Sequence, residues 1–248
     1  QELIQHLNAL LASEVMRYEV IENELVEIKE KYADERRTRI IKMATEFNPE
    51  DMYADDDMVI TISHLGYIKR TPLADFRQQG RGGVGAKASA ARDEDFIEYV
   101  HQANMHSTMM FFTEQGRLYW TKVYELPEGN RQSKGRALQN MINIQKGDKV
   151  CAFIHVKNLS DMEYVQNHYL IFATKNGLMK KTTLEAYSRP RANGIIALGL
   201  REDDRLIRVT LTDGNSQMLV ASYNGKVVRF PEDTVRPMGR TATGVRAI

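Results

Sequence analysis

"YLIFATKNGLMKKTTLEAYS", residues 169–188, is an apolar strand, a polar tip ending in Gly177, and a second strand. Asn176-Gly177 is a favoured hairpin tip, because a two-residue turn asks both central residues for positive φ. The same pattern returns in "MVITISHLGYIKRTPLADF" (58–76), "MMFFTEQGRLYWTKVYELPE" (109–128) and "QMLVASYNGKVVRFPEDTVR" (217–236). Their tip glycines are Gly66, Gly116 and Gly225, and Asn224-Gly225 repeats the favoured pair. A second glycine follows each tip by 17 to 19 residues: Gly85, Gly135, Gly194 and Gly244. Acidic residues then precede a further strand in three repeats, "DEDFIEYVHQA", "GDKVCAFIHV" and "DDRLIRVTL". Tip-to-tip periods of 48 to 61 residues, with three or four strands each, predict a mainly β, propeller-like array of blades.

Upstream the period changes. "SEVMRYEVIENELVEIKEKYADERRTRII" (13–41) predicts one long helix with Ser13 as N-cap. Its narrow stripe of Val20 or Ile21, Leu25, Ile28 and Tyr32 suits a coiled-coil or helix-packing seam. The acidic "NPEDMYADDD" (48–57) then predicts a linker. A formal charge of +1 hides a split between −8 over residues 1–57 and +9 over residues 58–248. The basic part predicts a polyanionic partner.

"RQQGRGGVGAK" (77–87) matches the glycine pattern of a dinucleotide-binding turn and approaches a P-loop. Its context excludes both. A dinucleotide turn must leave a buried parallel strand and open a helix whose N-terminus meets the pyrophosphate. Here a polar segment precedes the glycines, and an acidic turn and another strand follow, so no helix is expected after Gly85. Ala86 separates the last glycine from Lys87, and no Ser or Thr follows, which removes the P-loop. What remains is a Gly/Arg loop at the position where other repeats have "GNRQSKGRALQ", "SRPRANGIIAL" and "RPMGRTATGVRAI". These hold Arg131, Lys134 and Arg136; Arg189 and Arg191; and Arg236 and Arg240. Glycine lets a backbone approach a phosphate, and arginine adds charge and a planar fork of donors. Trp120 and most other aromatics, with the Met residues, are expected in the blade core.

Composition removes other classes. Cys151 is the single cysteine, so no intramolecular disulfide or cysteine-based zinc cluster is possible. The six histidines show no metal-ligand spacing, and no metal site is expected. No stretch approaches 18 apolar residues and no signal-peptide pattern opens the chain, so a cytoplasmic protein without a membrane partner is expected.

"ELVEIKEKYADERRTRI" (24–40), "GYIKRTPLADFRQQGRGGVGAKASAARDEDFI" (66–97) and "GRLYWTKVYELPE" (116–128) together resemble the A subunits of bacterial DNA gyrase, a type IIA topoisomerase. The resemblance implies three parts: the end of the breakage–reunion core with its coiled-coil helix over 1–45, an acidic linker over 46–57, and a partial C-terminal β-pinwheel over 58–248. That pinwheel is a six-bladed propeller variant whose blades exchange strands, and about four blades are expected here. The family's box, Q-[KR]-R-G-G-[KR]-G, falls on Gln79, Gly80, Arg81, Gly82, Gly83, Val84 and Gly85. Five positions agree; Gly80 and Val84 depart from it, and Arg77, Lys87 and Arg92 could supply charge nearby.

The resemblance implies duplex DNA bent around a basic rim, so that ATP-driven strand passage introduces negative supercoils. The box would close the blade ring, and Lys69, Arg70, Arg77, Arg81, Lys87, Arg131, Lys134, Arg136, Lys180, Lys181, Arg189, Arg191, Arg229, Arg236 and Arg240 would contact phosphates. No catalytic residue is expected in this stretch, since the family's catalytic tyrosine lies upstream of it. No cofactor is expected either, because ATP and Mg²⁺ belong elsewhere in the full enzyme. The partners implied are double-stranded DNA, the gyrase B subunit and a second copy of the gyrase A subunit, at the nucleoid. Two alternatives remain open: the related C-terminal domain of topoisomerase IV, and a propeller that docks proteins.

Overall fold

The computed structural model describes residues 1–34, 36–38, 48–76, 80–85, 89, 91 and 94–248. Two units divide the chain, Gln1–Phe47 and Asn48–Ile248.

In the first unit, α1 (Glu2–Ala12) and α2 (Glu14–Tyr32) meet at Ser13. The Ser13 hydroxyl accepts the Met16 N–H and caps α2, as the sequence predicts. The long helix keeps its predicted start and is corrected at its C-terminal end: α2 stops where Ala33 turns extended after bonding back to Lys29, and a separate α1 precedes Ser13. Lys29 and Lys31 in the last turn favour that ending through the helix dipole. Val20, Ile21, Leu25, Ile28 and Tyr32 are all exposed.

In the second unit a 3₁₀ turn (Pro49–Met52) opens the chain. The strands follow as β1 (Asp57–Ser63), β2 (Tyr67–Pro72), β3 (Ile97–Asn104), β4 (Thr108–Thr113), β5 (Arg117–Lys122), β6 (Arg136–Ala137), β7 (Val150–Val156), β8 (Tyr169–Thr174), β9 (Leu178–Thr183), β10 (Ile195–Ile196), β11 (Leu206–Thr212), β12 (Gln217–Ala221), β13 (Val227–Pro231) and β14 (Val245–Arg246). A one-turn helix, α3 (Met162–Asn167), lies between β7 and β8. Residues 48–57 are not a free linker. Tyr53 stacks on Tyr124 at 5.0 Å, and Glu50 pairs with Lys122, so the stretch is packed on the blades.

Three antiparallel sheets have four strands, in the orders β3-β1-β2-β6, β10-β5-β4-β7 and β11-β8-β9-β14, and β12-β13 forms a fourth hairpin. Each short outer strand comes from the next repeat: β6 pairs with β2, β10 with β5, and β14 with β9. The blades therefore exchange strands. The repeat glycines make this possible, because a Cβ on Gly135, Gly194 or Gly244 would stand 2.7, 2.7 or 2.5 Å from the carbonyl oxygen of Ile68, Leu118 or Met179.

Strand β4 shows how blades stack. Side chains alternate across a strand, so a strand covered on both faces reads as a continuous apolar run. Met109 and Phe111 join the core shared with β1 and β2, whereas Met110 and Phe112 join the core shared with β8. Phe111 meets Phe153 edge-on at 5.8 Å, and Phe112 meets Phe172 likewise at 5.6 Å.

The hairpin tips differ from expectation. Asn176 and Asn224 keep negative φ, and only the glycine enters the left-handed region. Three residues separate the strands at the first three tips and five at the fourth, and in all four the glycine N–H bonds to the carbonyl three residues earlier, at Ser63, Thr113, Thr174 or Ser222. The hydroxyl of that same Ser or Thr accepts the N–H of the residue after the glycine, at 3.1 to 3.2 Å in all four repeats. The acidic residues noted in three of the repeats find a use here. Asp95, Asp148 and Asp204 accept the N–H groups of Leu65, Gln115 and Asn176 and so tie the first three tips to their third strands.

Candidate nucleic-acid interface

Strand exchange places the basic loops in register. In the loop before β6, the Asn130 carboxamide accepts the Gln132 and Ser133 N–H groups, and the Ser133 hydroxyl donates to the Asn130 carbonyl. This tight knot leaves Lys134 and Arg136 exposed and Arg131 half-buried. Before β10, Arg189 and Arg191 are exposed, and the Gly194 N–H closes a turn on the Arg191 carbonyl. Arg117, which the sequence did not single out, donates to the Asn193 carbonyl at 3.1 Å and to the Tyr119 hydroxyl at 3.2 Å. Before β14, Arg236 is exposed and Arg240 half-buried, and the Met238 N–H bonds to the Lys181 carbonyl.

In the first repeat, Gly80–Gly85 make a turn in which the Gly83 N–H reaches the Gly80 carbonyl at 3.3 Å. Gly82 and Gly85 hold φ of 79° and 82°, and Arg81 and Val84 face solvent. Gln79, Arg77, Lys87 and Arg92 lie outside the described residues. No helix is found at the described residues between Gly85 and β3.

Four expected phosphate ligands are corrected. Lys69, Arg70, Lys180 and Lys181 are only 3, 6, 0 and 4% exposed. They sit on β2 and β9, the strands that receive the exchanged partner, and their charges are used inside the fold. Arg70 reaches the Leu126 carbonyl at 2.8 Å and the Glu128 carboxylate at 2.9 Å. Lys181 pairs with the buried Glu232 carboxylate at 3.0 Å and lies 4.2 Å from the Tyr169 ring centre. Lys69 and Lys180 bond to backbone carbonyls of the following repeat. Burial pushes both amines down, Lys180 to about 7 with help from the Arg240 charge. Sequence spacing aligned these residues correctly between repeats but could not show that a neighbouring repeat covers them.

Arg229 is exposed on β13. Trp120 is half-buried and donates its indole N–H to the Tyr187 carbonyl, so it packs rather than presenting a stacking face. Among the described residues, Arg131, Lys134, Arg136, Arg189, Arg191, Arg229 and Arg236 form no ion pair with a carboxylate. No three His, Cys, Asp or Glu among them cluster to hold a metal, and no described helix is long and apolar enough to cross a membrane. Desolvation raises the Cys151 thiol to about 12, which removes it as a nucleophile.

The family model described as "DNA gyrase C-terminal domain, beta-propeller" matches residues 57–104, 107–157, 168–213 and 217–248, one segment per repeat. The DNA gyrase A subunit of Haemophilus influenzae is 43% identical over 99% of this chain and 27% of its own length. Its counterpart from Staphylococcus epidermidis is 42% identical over 100% of this chain and 27% of its own length. The chain thus spans about a quarter of these relatives. Among solved structures, the C-terminal domain of DNA topoisomerase IV superposes with a TM-score of 0.65 at 28% identity, covering 78% of this chain and 57% of that one. The DNA gyrase A C-terminal domain superposes at 0.58 and 21% identity, covering 77 and 59%, and supports the fold.

Proposed function

Because the chain belongs to the DNA gyrase C-terminal β-propeller family, we propose that it binds duplex DNA through the phosphates and bends the duplex along its row of basic loops. One observation carries the reading: successive repeats present exposed cations, free of carboxylate partners among the described residues, on loops of equivalent position. Smoothly bending 20–30 base pairs costs on the order of 1–6 kcal/mol, which many distributed contacts offset and a single pocket cannot. Arg81, Arg131, Lys134, Arg136, Arg189, Arg191, Arg229, Arg236 and Arg240 are the proposed phosphate ligands. Gly80–Gly85 supply a turn at which backbone can approach a strand closely.

In the full-length protein this bend would feed a type IIA topoisomerase that introduces negative supercoils, working with a second gyrase A chain and with a gyrase B chain that uses ATP and Mg²⁺. Strand β13 holds the place at which β2, β5 and β9 each receive a strand from the next repeat, so a following repeat would dock there. The test is affinity for a duplex of about 40 base pairs across a salt series, with Arg81→Glu alongside. Six or more neutralised phosphates weaken binding by about 10³-fold or more between 50 and 200 mM salt, and the variant should bind more weakly. Binding that ignores salt, or its absence, would favour a protein-docking propeller instead.

A further inference from the structure

The two lysines withdrawn from the rim lie directly beneath it. We propose that Lys69 and Lys180 are positioning residues: each reaches out of one blade, donates to backbone carbonyl oxygen in the next repeat's basic loop (Lys69 to Asn130 and Ser133, Lys180 to Arg240), and so fixes that loop's cations toward DNA. The proposal rests on the DNA-binding reading above.

The geometry repeats. Both lysines stand three residues after a tip glycine, on a strand that receives an exchanged partner. The Lys69 ammonium donates to the carbonyls of Asn130 at 2.9 Å, Ser133 at 2.8 Å and Arg131 at 3.4 Å. The Lys180 amine reaches the carbonyls of Arg240 at 2.5 Å and Ala197 at 2.6 Å, and the Tyr187 hydroxyl at 3.4 Å. Arg131 and Arg240 each precede the exchanged glycine by four residues, so both lysines hold the same carbonyl of the repeat.

A carbonyl set of this kind calls for a multiple donor. Several carbonyl oxygens converge on a single nitrogen, and a lysine amine can turn a separate N–H toward more than one of them. A Met in the same space would keep the stem's packing but take the lysine's donor from the Ser133 and Arg240 carbonyls, whereas the Asn130 and Ala197 carbonyls keep the Ser133 and Tyr187 hydroxyls. Neither lysine has a carboxylate partner among the described residues, so neither is half of an ion pair. Lys180 also faces the Phe172 ring, 4.7 Å from its centre.

The second blade shows the alternative. There Tyr119 holds the lysine's position, and the loop of Arg189 and Arg191 is tethered by Arg117 to the Asn193 carbonyl. Each of these three loops is thus held from the blade before it, by lysine twice and by an Arg–Tyr pair once.

The test uses the full 248-residue chain with Lys69→Met and Lys180→Met. Lys69→Met should raise hydrogen exchange of amides 131–136 by about tenfold or more. It should also flatten the slope of log affinity against log salt by about two to three, near one for each phosphate no longer neutralised. Lys180→Met should do the same through residues 236–246 and leave 131–136 unchanged. A lysine serving only general stability would lower the unfolding midpoint and leave the salt slope and local loop exchange alone; that result overturns the proposal. Should either variant fail to fold, ¹⁵N spectra of lysine side chains in the unaltered chain decide. Slowly exchanging Nζ protons, with coupling across the hydrogen bond to the Ser133 or Arg240 carbonyl, support the clamp, and freely exchanging ones overturn it. An unaltered chain that binds no duplex at any salt sinks the DNA reading, while loop exchange in Lys69→Met still reports on the clamp itself.

Discussion

The hairpins β8–β9 and β12–β13 are written in the same pattern, yet they live in different environments. Ile171 and Leu219 both precede their tip glycine by six residues; one is 5% exposed and the other 70%. Lys181 and Arg229 both follow their tip by four residues, the first sealed against Glu232 and the second in solvent. The difference lies in what the next repeat brings. Strand β9 receives β14, and the segment carrying Glu232 and Pro237 runs along it, whereas β13 takes no further strand among the described residues. In this architecture a hairpin is buried by its successor.

The largest effect that would break this comparison lies at Glu232. Its carboxylate, wholly buried, holds Lys181 at 3.0 Å and accepts the Thr212 hydroxyl at 2.7 Å. Glu232→Ala leaves an uncompensated cation inside the blade and should cost about 3–5 kcal/mol in urea unfolding. A loss below about 1 kcal/mol, the range of an exposed pair, would mean that blade 3 does not depend on the repeat after it.

Truncating the matched apolar pair comes next. Ile171→Ala should cost about 2–5 kcal/mol, and Leu219→Ala should stay within about 0.5 kcal/mol. Equal losses would show that repeat 4 is as buried in solution as blade 3.

The glycines sharpen the point. Gly225→Ala meets only the positive-φ penalty of about 1–2 kcal/mol, since nothing lies within 4 Å of its Cβ position. Gly244→Ala adds a Cβ placed 2.5 Å from the Met179 carbonyl oxygen, so its thermal unfolding should be affected at least twice as strongly.

The smallest effect concerns pH. Folding lowers the Lys180 pKa from 10.5 to about 7. Between those values the unfolded chain binds more protons there than the folded one, so stability rises with pH and levels off below about 7. The unaltered chain should gain up to about 1 kcal/mol per pH unit over Lys180→Met between about pH 7 and 8.5. A difference independent of pH would place the amine in contact with solvent.

Much of this was legible in the sequence. The tip glycines, the second glycines and the acidic turns gave the repeat, and with it the blades. The Ser or Thr three residues before each tip glycine was an equally regular signal that went unread. What could not be read was the fate of cations on a strand. Lys69 and Lys134 are both lysines near a glycine, and only the exchanged strand decides that the first faces carbonyls and the second faces water. Burial contributed by a segment some sixty residues downstream leaves no local trace. The same blindness made Asn48–Asp57 look like a linker, because its docking partners Tyr124 and Lys122 belong to a later repeat.

The proposed division between outer cations that would meet DNA and inner lysines that would hold the loops is tested most directly by lysine acetylation with mass-spectrometric readout, with and without a saturating duplex of about 40 base pairs. Lys134 should react in the free chain and be shielded by the duplex, while Lys69, Lys180 and Lys181 stay unmodified in both. Lys134 that reacts equally in both states, or inner lysines that react as fast as Lys134, would contradict the account.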